Sequence, residues 1–356
     1  MTFLSAIILL GIIIFVHELG HFLLAKLTRV KVKKFSLGFG PKLIGKKYGD
    51  TEYLLSSVPL GGYVKMLGEE PGEELKEEEK RLAYKYQPVW KRFLIVFFGP
   101  LFNMVFAITI FFFIFLAGVP VLLPDVGEVM DNSPASLSGL AKGDKVTGID
   151  DTTINQWDEM AEIIHNNPGK SLNFRIERDG NIFTKIITPE KMKIKNIFGD
   201  EKEIGLIGIK PSENTFIKKE GFIAALKGSI IRTWDITVLT VVSVIKLIQR
   251  VIPADTIGGP ILIVQMAGEQ ASRGLMNFFL FMAIISINIG VLNLLPIPIL
   301  DGGHILFLGI EAIRRKPLNE KFIAVSQRIG LALILTIMAF ALYNDIIRLI
   351  TGKTFP

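Results

Sequence analysis

Four stretches of this chain run apolar for about the length that a helix needs to cross a bilayer, roughly 20 residues. Residues 1–25 carry a single charged side chain, Glu18. Residues 93–118 and 274–300 carry none. Residues 329–350 are apolar up to Tyr343 and then take Asp345 and Arg348. The first stretch lacks the basic leader and the small-x-small cleavage site of a signal peptide, so it is expected to remain as a helix. A fifth stretch, 222–250, holds Lys227, Arg232, Asp235 and Lys246. Its uncharged run, 236–245, is too short to span, and the whole reads as an amphipathic helix at the membrane interface or against the bundle.

Lysine and arginine near the helix ends set the orientation. Lys26, Arg29, Lys31, Lys33 and Lys34 follow the first span. Lys85, Lys91 and Arg92 precede the second, and Arg314, Arg315 and Lys316 follow the third. Residues 119–141 hold no basic side chain. The pattern predicts a polytopic α-helical membrane protein with four transmembrane helices (1–25, 93–118, 274–300 and 329–350). Segments 26–92 and 301–328 then face the cytoplasm, while both termini and 119–273 lie outside.

Between the spans the periodicity changes. Segment 26–92 contains two strand-like runs, 52–58 and 62–67, joined by Pro59, Leu60 and Gly61, with an apolar, turn-rich stretch at 36–41 upstream. Such a pattern fits a small sheet dipping toward the membrane or an ordinary cytoplasmic hairpin. The glutamate-rich run 69–80 reads as a solvated helix or loop without chemistry. In 125–211, β-branched runs (145–149, 171–177, 182–188, 204–209) alternate with turn signals such as Asp179-Gly180, and one helix is expected over 156–165. This is an inserted α+β domain large enough for its own core. Segment 212–273 carries the interfacial helix and a loop.

Composition supports the membrane assignment. Half of the 356 residues are hydrophobic and 21% are charged, and mean hydropathy is +0.45, which excludes a disordered chain. There is no cysteine, which removes disulfides, cysteine-ligated zinc and thiol nucleophiles together. The net charge of +6 fits basic cytoplasmic loops, not nucleic-acid binding.

The sharpest chemical signal is His17-Glu18-Leu19-Gly20-His21 in the first span. Positions i and i+4 of a helix lie about 40° apart and one turn along the axis. Both imidazoles can therefore ligate one ion, with Glu18 near its bound water, as in zinc hydrolases. Two of the four histidines fall here. Two core histidines hydrogen-bonding between helices would be the bland alternative, but that does not explain a glutamate buried in an apolar span. A catalytic zinc needs a third protein ligand and an open position. The candidates are Asp301, His304 and His165. Asp301 directly follows the third span, where Pro296, Pro298, Gly302 and Gly303 are expected to break the helix. Irregular backbone at membrane depth is tolerated only inside protein or beside a water cavity. The predicted chemistry is water activation: zinc brings the pKa of water to about 7, Glu18 takes the proton, and hydroxide attacks a peptide carbonyl. Asn293 and Asn103, polar residues inside apolar spans, are candidate oxyanion or substrate donors. Either could equally serve as interhelical glue.

Taken together, the motif at 17–21 and the segments 35–41, 59–66, 99–103 and 293–304 resemble the site-2 protease family of intramembrane zinc metalloproteases, in its bacterial regulator-of-sigma-E branch. The resemblance spans nearly the whole chain. It implies one Zn2+ per chain held by His17, His21 and Asp301, with Glu18 as base. It implies that Asn293 helps to hold substrate, with Tyr63 a further contact. It implies that 36–67 is a membrane-associated β element able to pair with an unwound substrate strand. Residues 125–211 resemble a PDZ domain of the permuted bacterial sort. In it Ile204, Gly205, Leu206, Ile207 and Gly208 would form the loop receiving a peptide C-terminus, with the 156–165 helix as the other wall. The chain has room for one such domain, where the best-known family member carries two in tandem. Residues 262–268 resemble the family's segment before the third span.

The resemblance further implies a bacterial inner-membrane endopeptidase with its active site near the cytoplasmic side and its PDZ domain in the periplasm. The substrates would be single-pass membrane proteins of the anti-sigma-factor type or remnant signal peptides. Two other classes share the features: a metal-ion transporter, and an inactive PDZ-bearing membrane scaffold.

Overall fold

The structure is a computed structural model that describes residues 2–69, 73, 75–195 and 201–351. Within it the helices used below are, in chain order, α1 (Thr2–Leu27), α2 (Val89–Ala117), α3 (Trp157–His165), α4 (Phe222–Ile248), α5 (Pro260–Ser272), α6 (Leu275–Asn293), α7 (Asp301–Arg314) and α8 (Glu320–Thr351). The chain divides into two compact units, one made of 1–113 and 225–356, the other of 114–224.

In the first unit, α1, α2, α6 and α8 are long and apolar enough to cross a membrane, at the four places the hydropathy pattern marks. The boundaries shift. α8 begins at Glu320, well before the apolar run, and α6 ends at Asn293, short of the expected 300. In α1, Ala6, Leu9, Ile13, His17, Gly20 and Leu24 are buried in steps of three and four, one helical stripe, with Ala25 beside its end. Hydropathy could not have picked this face, because the other faces are just as apolar. α4 is a 27-residue helix whose buried stripe is Ala225, Ser229, Thr233 and Ile236. Thr240 on α4 donates to Asn288 of α6 at 2.8 Å. Its exposed side chains are mixed, with Ile223, Trp234 and Val241 beside the charged Lys227, Arg232 and Asp235.

The strand-like runs at 52–58 and 62–67 do not form a simple hairpin across Pro59. They belong to one strand, Thr51–Met66 (β2), paired with Val32–Tyr48 (β1). Residues 35–37 of β1 pair with 62–64 on one flank and with 53–55 on the other, and 42–48 fold back on 51–56. The stretch at 36–41 thus lies within β1, and its turn character survives as positive φ at Gly38 and Gly40. Val32, Phe35, Val64 and Met66 from the sheet pack with Leu24 and Ala25 of α1 and Ile95 of α2. The sheet is thereby pinned to two of the spans. Of the acidic run, Glu77–Lys80 is a short helix without buried residues, while its first part is tied to the sheet. Glu69 accepts the Met66 amide at 2.9 Å, and Glu73 accepts the Gly68 amide at 3.0 Å and pairs with Lys33. Residues 70–72 and 74 of that run lie outside the described residues.

After α6 the chain turns through 294–300 and restarts as α7 at Asp301. Gly302 and Gly303, expected to break a helix, instead form its first turn. A Cβ on either would stand 2.2 Å from the carbonyl oxygens of Leu294 or Ile297, so only glycine lets the turn fold down onto α7. The segment at 262–268 is helical, within α5. Its N-terminus is capped from α8. The buried carboxylate of Asp345 accepts the amides of Gly259, Ile261 and Leu262 at 2.9, 3.0 and 3.1 Å, satisfying donors that a helix start leaves free.

The second unit holds a four-stranded sheet ordered 152–153, 145–149, 172–178, 181–187, and three two-stranded ladders. Leu172, Phe174 and Ile176 alternate into a core with Val146, Ile149, Met160, Ile164 and Ile187. Asp179 and Gly180 both have positive φ, the tight hairpin turn their dipeptide favours. The residues expected to receive a peptide C-terminus lie at the end of a strand and in the turn after it. Ile204, Gly205 and Leu206 lie in a strand, Glu201–Leu206, and a Cβ on Gly205 would be 2.4 Å from the Ile164 carbonyl of α3. The Ile207 and Gly208 carbonyls already accept from Ala135 and Met130 at 2.9 Å each.

Two predictions follow from these contacts. Asp345→Ala removes a carboxylate that serves three amides. It is expected to cost about 2 kcal/mol, the upper range for a helix cap, read as a lower melting temperature of the full chain in detergent. In the second unit, Arg178 donates to the fully buried Asp144 carboxylate at 2.5 and 2.8 Å. Burial alone would raise the Asp144 pKa, but the Arg178 bonds and the Ala141 amide outweigh it and hold the group below the ordinary aspartate range. The pair's contribution is therefore full above the unfolded value of about 3.9 and is lost as pH falls through the lower folded value. Hydrogen-exchange protection factors along 172–178 should fall in that acid window, and Asp144→Asn should make them insensitive to pH there.

Candidate metal centre

α1 and α2 cross at glycine. A Cβ on Gly20 would lie 2.2 Å from the Phe98 carbonyl oxygen, and one on Gly99 would lie 2.3 Å from Cε1 and Nε2 of His21 and 3.0 Å from Cε1 of His17. The missing side chain of Gly20 lets the two backbones close on each other, and that of Gly99 leaves the space in which both imidazoles sit. His17 and His21, one turn apart, present their rings edge to face with centroids 4.8 Å apart. Asp301 comes from the first residue of α7, where the positive end of the helix dipole favours a carboxylate. A forked ion pair, Arg92 of α2 with Glu311 of α7, ties that helix back to the α1–α2 pair.

The three side chains converge. His17 Nε2 lies 3.1 Å from Asp301 Oδ2, His21 Nε2 lies 3.6 Å from Asp301 Oδ1, and the two Nε2 atoms are 3.2 Å apart. Donors bound to one tetrahedral ion at about 2.0–2.1 Å would stand about 3.3–3.4 Å from each other, so the set fits a zinc ion. Asp301 Oδ2 is buried without a hydrogen-bond partner, a cost that a cation would relieve. His21 donates its Nδ1–H to the Ile95 carbonyl at 2.8 Å. That bond fixes the tautomer that turns the Nε2 lone pair inward.

A cavity of about 600 Å³ opens on this cluster and is lined by His17, Glu18, His21, Tyr63, Asn293 and Asp301 among others. The Val64 amide of β2 faces the Glu18 carboxylate, and Gly62 beside it leaves room for the Glu18 side chain. Asn293 Nδ2 lies 3.3 Å from His17 Nε2. Asn103 does not line the cavity. It is fully buried, with its amide 3.4 Å from His17 Nδ1. His304 lines the cavity, but among the described residues the ligand group is His17, His21 and Asp301. His304 instead meets Phe307 edge to face. His165 sits on α3 of the other unit. Sequence reasoning missed the Ile95 carbonyl, the Val64 amide and the space left by Gly99. Backbone groups carry no residue signature, and a glycine in an apolar span gives no sign of what it faces.

Helices α1, α2, α6 and α8, long and apolar enough to cross a membrane, together with a histidine–carboxylate cluster that fits zinc, describe a membrane-embedded metalloprotein. Comparison with known proteins agrees: the model of peptidase family M50 matches residues 5–337, and the chain belongs to that zinc-dependent family. Relatives bearing zinc-metalloprotease names occur in Mesorhizobium japonicum (34% identical over 371 residues, 97% of this chain and 98% of the relative) and Campylobacter jejuni (35% over 351 residues, 98% and 94%). The regulator of sigma E protease of Salmonella typhimurium is 31% identical over 446 residues, covering 96% of this chain and 98% of that protein. The protein is a membrane zinc metalloprotease.

Because Gly99 faces both rings, Gly99→Ala is expected to lower the zinc bound per chain by at least half while helix content stays unchanged. Elemental analysis beside circular dichroism reads both quantities.

Proposed function

We propose that His17, His21 and Asp301 hold the zinc and that Glu18 is the general base in hydrolysis of a peptide bond within or beside the membrane. The observation that carries this reading is the convergence of the three ligand atoms in one cavity with the Glu18 carboxylate. When bound, zinc supplies Lewis acidity that makes water nucleophilic near neutral pH and polarises a carbonyl. Glu18 then takes a proton from the attacking water at its carboxylate oxygen and returns it to the nitrogen of the departing amine. The Val64 amide holds Glu18 in place during both transfers. Asn293, on the cavity wall, donates to the oxygen on which negative charge develops. The 62–66 edge of the sheet and Tyr63 take the substrate as an extended strand, since a peptide carbonyl inside a helix is shielded from attack.

The substrates we infer are single-pass membrane proteins of the anti-sigma-factor type, or remnant signal peptides. The name of the Salmonella relative and the depth of the cluster near the basic end of α1 support this. On the same charge pattern the chain sits in a bacterial inner membrane with the site toward the cytoplasm and the 114–224 unit in the periplasm. We read that unit as a single PDZ-type domain for peptide C-termini. Its support is one helix packed on a short strand, with a positive-φ glycine, Gly208, closing the turn after it.

A transporter would need polar side chains along a path, and a scaffold would not need Glu18 in the cavity. Glu18→Gln is expected to lower cleavage of a transmembrane reporter at least about a hundredfold, the usual worth of a general base, with zinc content unchanged. Asp301→Ala should lose both zinc and cleavage. Cleavage that survives in the Glu18 variant would remove the assigned base. Zinc retained in full by the Asp301 variant would remove the ligand set.

A further inference from the structure

Resting on the reading of His17 as a zinc ligand, we propose that Asn103 is a positioning residue for His17. Its side-chain oxygen accepts the Nδ1–H of that ring and so holds the tautomer that leaves Nε2 as a lone pair. A neutral imidazole has one N–H and one acceptor nitrogen, and the partner of the outer nitrogen decides which is which. The inner nitrogen of His17 faces three groups at once: Asp301 Oδ2 at 3.1 Å, His21 Nε2 at 3.2 Å and the Asn293 amide at 3.3 Å. For that face to grip a cation, the proton must sit on Nδ1, and Nδ1 must find an acceptor.

The group at Nδ1 is the Asn103 amide, 3.4 Å away with its nitrogen turned toward the ring, while its oxygen is buried with no partner. The two ends of an amide have nearly the same shape, so their assignment follows from hydrogen bonding. With the nitrogen toward the ring, an N–H is aimed at Nδ1 and the proton is driven to Nε2, against the ligand cluster. With the amide turned, the orphaned oxygen accepts from Nδ1 and the cluster keeps its lone pair. The residue is held for this purpose from α6. Ser286 donates to the main-chain carbonyl of Asn103 at 3.0 Å, and Gly290 has no side chain to displace Asn103 Cβ. His21 uses the same device with a different acceptor, the Ile95 carbonyl two turns earlier on α2. Asn103 is fully buried and absent from the cavity wall, so it acts through His17 and not on substrate.

The test is zinc affinity of the purified full chain, measured by competition with a chromophoric chelator. Asn103→Leu keeps the volume and removes the acceptor. It should weaken zinc about 10- to 100-fold, the usual effect of removing an outer partner of a ligand histidine. Asn103→Asp keeps an acceptor and should stay within about threefold of the wild type. A leucine variant that binds zinc like the wild type, or an aspartate variant as weak as leucine, overturns the proposal. One measurement needs no variant to fold. Ring nitrogen-15 spectra of the wild type, which has four histidines, should show a protonated Nδ1 on His17, and the opposite tautomer overturns the assignment. If the wild type binds no zinc at all, the ligand reading fails instead, and the two failures are thus distinct.

Discussion

The closeness of α1 and α2 is the constraint on which the rest of the molecule depends. At Gly20 the two backbones leave no room for a methyl group, and at Gly99 the missing side chain is replaced by the rings of His17 and His21. Helices in a bilayer gain little from apolar burial against each other, so packing of this kind is what brings them together. The same closeness puts the Ile95 carbonyl and the Asn103 amide behind the two rings. A spacing larger by one methyl would separate the imidazoles from their supports as well as from each other.

The third member of the cluster reaches the site by another route. Asp301 stands at the start of a helix that exists because the chain stops being helical at Asn293 and turns for seven residues, 294–300. Gly302 and Gly303 let that turn lie flat on α7, and the Arg92–Glu311 fork binds α7 to α2. Farther out, Asp345 caps α5, which packs along α1, with Gly268 against Thr2. Each support joins elements remote in sequence, so the cluster's geometry is a property of the bundle, not of any one helix.

The sheet adds a polar edge to a largely apolar interior. β1 and β2 double back so that one segment, 35–37, has partners on both sides, which leaves 62–66 as the flank nearest α1. Val64 then serves two ends: its side chain joins the small core with Leu24 and Ile95, and its amide faces Glu18. Glu69 and Glu73 close the far end of that strand through backbone amides. The start of the acidic run, read by composition alone as a solvated helix or loop, thus contributes to the hydrogen bonding at the strand's end.

The sequence by itself determined the spans, because a bilayer imposes a length and an apolarity that can be counted residue by residue. It also determined the His17, Glu18 and His21 constellation, since the helix period alone puts the two imidazoles on one side. Asp301 emerged as one of three candidates, and resemblance singled it out. What the sequence did not contain was which face of each uniformly apolar helix turns inward, that β2 is a single strand folded against both flanks of β1, or that Gly302 and Gly303 begin a helix. Nor could it tell that Asn103 sits behind His17 and not in the cavity. Hydropathy has no direction when every face is apolar, and backbone carbonyls and amides such as those of Ile95 and Val64 belong to every residue alike. Only the packed tertiary structure gives them an address.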